Sequence, residues 1–241
     1  MTANPLPPDP PPRQHGPPAP APEGTRQHRF VPPPGSTVIT LVRHGESEAA
    51  HSDRPFPLVD GHGDPALHAD GLAQVEALGR RLAADHVAGP PISAIYVTSL
   101  RRTAQTAAPL AAAIGVAPVP VPDLREVFLG DWEGGLLRHK GDDPAFARMM
   151  AEERWDAVPG AEPLEQFTER IRRGVSGIAA AHPDQRVVSV SHGGVIGHIL
   201  HLATGSSRFA FVGANNASIS EIVVTGDRWI IRGFNDTSHL S

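Results

Sequence analysis

The chain contains no cysteine, which removes disulfide frameworks, thiolate catalysis and Cys-ligated zinc from consideration. It has no basic excess either: 21 Lys and Arg face 26 Asp and Glu, a formal net charge of −5. General nucleic-acid and anionic-membrane binders normally carry the opposite balance, so neither partner is expected, although a local basic pocket for a small anion stays open. No apolar run approaches the ~20 residues that cross a bilayer as a helix. The 13 histidines are scattered and show no His-Glu-x-x-His spacing. No metal site is expected from them, and most read as surface or loop residues. What is present is a chain of 241 residues, 40% of them hydrophobic, enough for one domain with a real core.

The start, Met1 to Pro34, is Pro-rich, has Phe30 as its single aromatic and shows no apolar periodicity. Such a stretch cannot bury enough surface to offset its ordering entropy, so residues 1–35 are expected to form a disordered or polyproline-II-like tail. It lacks the apolar core of a secretory signal, which points to the cytoplasm. The folded domain is expected over residues 36–241.

That domain opens with an apolar, β-branched strand, Thr37 to Val42, which stops abruptly at Arg43-His44-Gly45. A long loop, His51 to Ala69, follows. Asp70 is expected to cap a helix carrying Leu72, Val75, Leu78 and Leu82 on one side. Ile92 to Val97 reads as a second core strand and runs into residues 98–106 and an alanine-rich helix, which Pro109 is expected to kink and Gly115 to terminate. Val116 to Val121 gives a short third strand. Ala145 to Trp155 is expected to be helical behind Pro144. A further helix, about Pro163 to Ala181, repeats Leu164, Phe167, Ile171, Val175 and Ile178 at helical spacing. Arg186 to Ser191 is the next core strand, leading into His192-Gly193-Gly194 and a helix from Val195 to Leu202. Ala217 to Val224 and Arg228 to Gly233 suggest a closing hairpin turned at Gly226-Asp227. Strands alternating with helices imply an α/β fold, a three-layer α/β/α sandwich with a mostly parallel sheet and helices on both faces.

One grammar occurs three times: a buried strand, a polar loop, then a helix. It ends in Arg43-His44-Gly45, in the Arg101-Arg102 turn and in His192-Gly193. Parallel strands would bring these loops to one edge of the sheet, where ligands bind. Arg43 offers a fork of donors suited to phosphate or carboxylate, His44 is a nucleophile or proton carrier near neutral pH, and Gly45 lets the backbone approach a ligand. Helix N-termini add donors and a favourable dipole for anions. The collection describes a receptor for a phosphoryl group with nucleophiles inside it.

These motifs resemble those of the histidine phosphatase superfamily, also called phosphoglycerate mutase-like. Arg43-His44-Gly45-Glu46 is similar to its signature, residues 98–106 to its second motif, Leu124-Arg125-Glu126 through Trp132-Glu133-Gly134 to its acid-bearing segment, and Ser191-His192-Gly193-Gly194 to its second histidine motif. Asp64 to Gln74 and Asn216-Ala217-Ser218-Ile219 resemble further positions. The likeness runs from about Thr37 to the C-terminus and implies the phosphoglycerate mutase-like fold. It also implies a metal-independent phosphoric monoester hydrolase without a cofactor, acting on a small-molecule phosphate ester.

By resemblance His44 is the nucleophile that becomes phosphohistidine, and Arg43 with Arg102 clamps the transferred group, an arrangement suited to phosphoryl transfer. Arg101 is then a surface or supporting residue. His192 is the second imidazole, Gly193 offers its backbone amide, and Glu126 is the general acid and base. Glu133 is the rival carboxylate, read as structural, and Glu46 and Glu48 are expected to cap a helix or bind arginines. Two positions depart from the pattern. Ala50 stands where the family commonly has an asparagine six residues beyond the first histidine, with His51, Ser52 or Arg54 as candidate substitutes, and Gly197 replaces an arginine after the second. The stretch from Val127 to Gly134 resembles the phosphatase branch, leaving a phosphoglycerate mutase-type phosphotransferase or a catalytically weak phospho-ligand-binding protein as alternatives. The wall that selects the substrate is expected to draw on His51, Arg54, His62, Arg138, His139, Lys140 and Arg148.

Overall fold

Near-continuous burial runs through the first strand, β1 (Thr37–Arg43), and explains the layering of the computed structural model, which describes residues 27–241. Ile39 and Leu41 point to one face of the sheet and Val42 to the other, and all three are fully buried. A strand covered on both faces has to be apolar on both, so it reads as a continuous hydrophobic run.

After β1 come a two-residue pair, β2 (Leu58–Val59) and β3 (His62–Gly63), then α1 (Ala69–Ala88), β4 (Ile92–Val97), α2 (Arg101–Ile114) and β5 (Pro118–Pro120). Short 3₁₀ turns, Gly130–Trp132 and Leu136–His139, precede α3 (Pro144–Glu152). The chain closes with α4 (Leu164–Ala181), β6 (Arg186–Ser191), α5 (Gly193–Thr204), β7 (Ile219–Thr225) and β8 (Arg228–Asp236). The six-stranded sheet has the order β5-β4-β6-β1-β7-β8. β5, β4, β6 and β1 pair in parallel, and β7 is antiparallel to both its neighbours. Leu78 and Leu82 of α1 and Ala107 and Leu110 of α2 cover one face. Phe167, Ile171, Val175 and Ile178 of α4, with Val195, Ile196 and Ile199 of α5, cover the other. This is the expected three-layer, mostly parallel α/β arrangement.

The structure corrects several boundaries. The N-cap of α1 is His68, whose Nδ1 accepts from the Asp70 amide at 3.3 Å, and Leu72 is 47% exposed. Gly71 takes its place in the buried stripe because the helix meets the Glu46 backbone there: a Cβ on Gly71 would stand 2.0 Å from Glu46 O. Pro109 sits within α2 without ending it, and Gly115 terminates that helix in the left-handed conformation. β5 is limited to three exposed residues, two of them prolines without an amide to give to the sheet. The helix expected to reach Trp155 stops at Glu152, where Glu153 turns to φ +52° and a 3₁₀ turn, Trp155–Ala157, follows. The loop after β1 holds the β2–β3 hairpin, turned at Asp60 and Gly61, both at positive φ.

The chain divides into two units, Met1–Val31 and Pro32–Ser241. The expected tail falls, over residues 1–26, outside the described residues. Within the second unit, Gly35 donates its amide to Asp184 Oδ1 at 2.6 Å. Among the described residues no helix is long and apolar enough to cross a membrane.

Candidate active site

The carboxyl ends of β1, β4 and β6, three adjacent parallel strands, place Arg43-His44, Thr98 and Ser191-His192 side by side. His44 is held from every direction. Its amide donates to Ser191 O at 3.0 Å, and its carbonyl accepts from the Asn216 carboxamide at 3.0 Å and the Ala217 amide at 3.2 Å. Ala217 is fully buried at φ +55°, a conformation that disfavours a side chain by about 1 kcal/mol and persists only where neighbours enforce it. The next amide, Gly45, donates to Thr106 Oγ1 at 3.0 Å. A Cβ at Gly45 would lie 2.8 Å from Gly71 O, so glycine is required for α1 to pack here.

The His44 ring is 6% exposed, and its Nδ1 lies 2.7 Å from Gly45 O. A carbonyl can only accept, so Nδ1 carries the hydrogen and Nε2 presents a lone pair. Burial first, then the Arg102 and Arg43 guanidiniums, hold this imidazole well below the ordinary histidine value. It is therefore neutral at physiological pH. The His192 ring stands 5.2 Å away, edge-on. Its Nε2 is 3.1 Å from Thr98 Oγ1, while its Nδ1 is buried without a partner. Burial and Arg102 hold His192 low as well.

Around His44 lies a cavity of about 190 Å³, lined among others by Arg43, Arg102, Glu126, His62, Glu133 and Arg138. Arg43 donates through Nη1 to Ala214 O, and its Nε is buried and unpartnered. Arg102 is 8% exposed and gives Nη1 to Gly63 O at 2.9 Å. Neither arginine forms an ion pair among the described residues, so their charge is available to an anion. Glu126 accepts from the Val127 amide at 3.0 Å and the Gly194 amide at 3.3 Å. Burial pushes its carboxyl pKa up, against the pull of those amides and of Arg102. The arrangement combines a neutral imidazole lone pair, two unneutralised guanidiniums and a carboxyl group biased towards its protonated form.

Of the expected residues, Arg43, His44, Arg102 and Glu126 line the cavity. His192 and Gly193 stand immediately behind them; a Cβ on Gly193 would lie 3.4 Å from Arg43 Nε. Arg101 turns away, half exposed, onto the Asp64 carbonyl. Glu133 accepts from the amides of Gly63 at 2.8 Å and Leu129 at 2.9 Å, tying β3 to the segment after Glu126. Neither Glu46 nor Glu48 forms an ion pair or caps a helix among the described residues; Glu46 meets Gln74 instead. Of the seven basic residues expected in the wall, only His62 and Arg138 line this cavity. His51 and Arg54 bridge each other on the exposed loop. At Gly197 a Cβ would press within 3.0 Å of Phe211 O, which leaves no room for the arginine of the family pattern.

Sequence reasoning did not single out Thr98 and Thr103. Thr98 Oγ1 lies 3.1 Å from both Thr103 Oγ1 and His192 Nε2, and the two threonines sit in the quoted 98–106 run, which was the available signal.

Known proteins resemble the chain over most of its length. Residues 39–237 match the family model of the histidine phosphatase superfamily (branch 1). A metal-independent phosphoserine phosphatase of Arabidopsis thaliana is 30% identical over 210 residues, covering 85% of this chain and 84% of that protein. Phosphoglycerate mutase-like protein 4 of the same plant is 31% identical over 206 residues, covering 84% and 86%. Among solved structures, Bacillus stearothermophilus YhfR superposes with a TM-score of 0.72 at 25% identity, covering 85% of this chain and all of that one.

Proposed function

Because the chain belongs to the histidine phosphatase superfamily, branch 1, we propose that it is a metal-independent phosphomonoesterase working through a phosphohistidine at His44. Arg43 and Arg102 hold the phosphoryl oxygens, joined by His192 Nδ1–H and the Gly193 amide. His44 Nε2 attacks phosphorus while the ester P–O bond breaks, and Glu126 gives its proton to the departing oxygen. The Glu126 carboxylate then takes a proton from water, whose oxygen attacks phosphorus. The P–N bond breaks, inorganic phosphate leaves and His44 is regenerated. Catalysis comes mainly from positioning and charge neutralisation.

The observation that carries this reading is the His44 tautomer: Nδ1–H is spent on Gly45 O, so Nε2 carries the lone pair, beside a cavity that Arg43 and Arg102 also line without ion-pair partners. Rapid quenching of the protein with a phosphate ester is expected to trap an acid-labile, base-stable phosphoryl group on His44. His44→Ala is expected to lower turnover by about 10³-fold or more, and a chelator is expected to leave wild-type turnover unchanged. Equal rates for wild type and His44→Ala would remove the enzyme reading, and dependence on added metal would contradict the mechanism.

The similarity to a phosphoglycerate mutase-like protein favours one second reading, a phosphotransferase on the same phosphoenzyme. Stoichiometric release of free phosphate without transfer to an added phosphoglycerate separates the two.

A further inference from the structure

In the cap, Lys140 and Arg154 have carboxylate partners, whereas Arg148, His139 and Arg138 meet neutral acceptors, and of these three only Arg138 lines the cavity around His44. Lys140 lies 3.9 Å from Asp143, Arg154 pairs with Asp156 at 2.7 Å, Arg148 donates to Ala157 O and His139 lies against Ala50 O. Arg138 has no carboxylate partner among the described residues. It reaches from the Leu136–His139 turn over the loop after β1, giving Nη1 to Glu48 O at 2.9 Å and Nη2 to Ser47 Oγ at 2.8 Å. Its guanidinium also lies 5.8 Å from the Phe56 ring. These contacts fix its position, and Glu46, which lines the larger cavity beside it, attracts its charge without forming an ion pair. Glu133, which lines the same cavity, spends both oxygens on backbone amides.

Arg138 also stands at a junction. The cavity of about 190 Å³ and a second of about 550 Å³ share three lining residues: Arg43, His44 and Arg138. On the phosphatase reading, on which this inference rests, the leaving group occupies the smaller cavity, because Glu126 lines that one and not the other. The remaining wall there mixes apolar Phe56, Leu129, Trp132 and Leu137 with His62 and Glu133. Arg43 and Arg102 already match the two negative charges of a phosphoryl dianion. A third fixed guanidinium at the rim of the leaving-group cavity is in excess of that need.

We propose that Arg138 forms a second anion subsite that reads a carboxylate carried by the leaving group of a short phosphate ester. Charge-assisted contacts of this kind are about twice as strong as neutral ones. A neutral group of equal size would leave the Arg138 guanidinium without an anionic partner, which is what sets the choice between the two.

The test is calorimetric binding to His44→Ala protein, which does not turn its ligands over. The ligands are 3-phosphoglycerate, glycerol 3-phosphate (the same molecule with a hydroxymethyl group in place of the carboxylate) and inorganic phosphate. The carboxylate ligand is expected to bind at least about 10-fold more tightly than its neutral analogue. Adding Arg138→Gln is expected to bring the ratio to within about twofold, and adding Arg138→Lys to leave an intermediate ratio, since lysine keeps the charge but not the fork. A ratio near one with Arg138 intact overturns the proposal, with no need for the glutamine variant to fold. So does a ratio that survives Arg138→Gln, or an equal loss for all three ligands, which would assign Arg138 to the phosphoryl group. Phosphate release by the wild type is read separately. Its absence removes the phosphatase reading, whereas a missing ratio with release intact removes only the role of Arg138.

Discussion

The rear wall of the site and the cap in front of it differ in how each side chain is held. At the rear, Val42, Thr103, Ser191, His192, Ala217 and Ser218 have relative exposures near zero, and His44 is fixed through its own backbone on both sides. In the cap, from Val127 to Pro163, the chain runs through 3₁₀ turns and the short α3, with a small core of Trp132, Ala145, Met149 and Val158. Its functional side chain, Arg138, is anchored by two hydrogen bonds to a loop. The rear is thus suited to a fixed reaction geometry and the cap to a choice of leaving group. Changes at the rear should act on kcat, and changes in the cap on KM.

Gly194→Ala is expected to break the rear wall most severely. The added Cβ would stand 2.6 Å from Glu126 Oε1 and 3.5 Å from the Trp155 ring, at the amide that now steadies the carboxyl group. Glu126 must shift, and a misplacement of about 1 Å at a reacting group can cost about 10²-fold. Steady-state kinetics on p-nitrophenyl phosphate should therefore show kcat reduced by about 10- to 100-fold. An unchanged kcat would count against Glu126 as the proton donor.

A smaller effect is expected from pH. Burial holds His44 and His192 well below the ordinary histidine value and His198, outside the site against Thr168, at about 4. With folded-state pKa values below the unfolded value of about 6.5, these groups bind fewer protons in the native state. Their contribution is fully present above about pH 6.5 and is lost as pH falls through the folded values. Glu126 has the opposite sign: its raised pKa favours the native state below the unfolded carboxyl value and that contribution is lost as pH rises. Burial lowers His62 and His239 as well, and with these five histidines against one raised carboxyl the melting temperature should decline from pH 7 to pH 5. A flat or rising profile would contradict a rear wall that excludes charge.

The same contrast explains what could be read from the chain. Arg43 and His44 were legible because they follow a strand of fixed grammar, whereas the choice of Arg102 over Arg101 and the naming of Glu126 came from the resemblance to the family's motifs. The buried face of α4 was legible because its five apolar positions repeat at helical spacing. Leu72 misled because an apolar residue beside a helix start looks like core, whereas the close approach of Glu46 makes Gly71 the residue that packs. Arg138 could not be told from Lys140 or Arg148 by type. What turns it inward is the backbone of Gly134 and Gly135, at φ +68° and +89°, where the Cβ positions would collide with Pro55 and Phe56. The signal was the Gly-Gly pair itself, which marks a close approach without saying which later side chain benefits.

Asp143→Ala is expected to have the smallest effect and to probe the cap alone. Asp143 caps α3, its carboxylate accepting from the Ala145 amide at 2.9 Å, and it also lies near Lys140. Loss of such a cap costs about 1 kcal/mol. The cost falls on a helix whose buried residues, Ala145 and Met149, pack with Trp132 and Val158 behind the turn that carries Leu137 and Arg138. Loosening that backing weakens the hold on the leaving group without touching His44, Arg43 or Arg102, so KM should rise about two- to threefold while kcat stays within error. A fall in kcat by the same factor would mean that the cap positions the reacting groups as well as the leaving group, and the division of labour between the two walls would have to be abandoned.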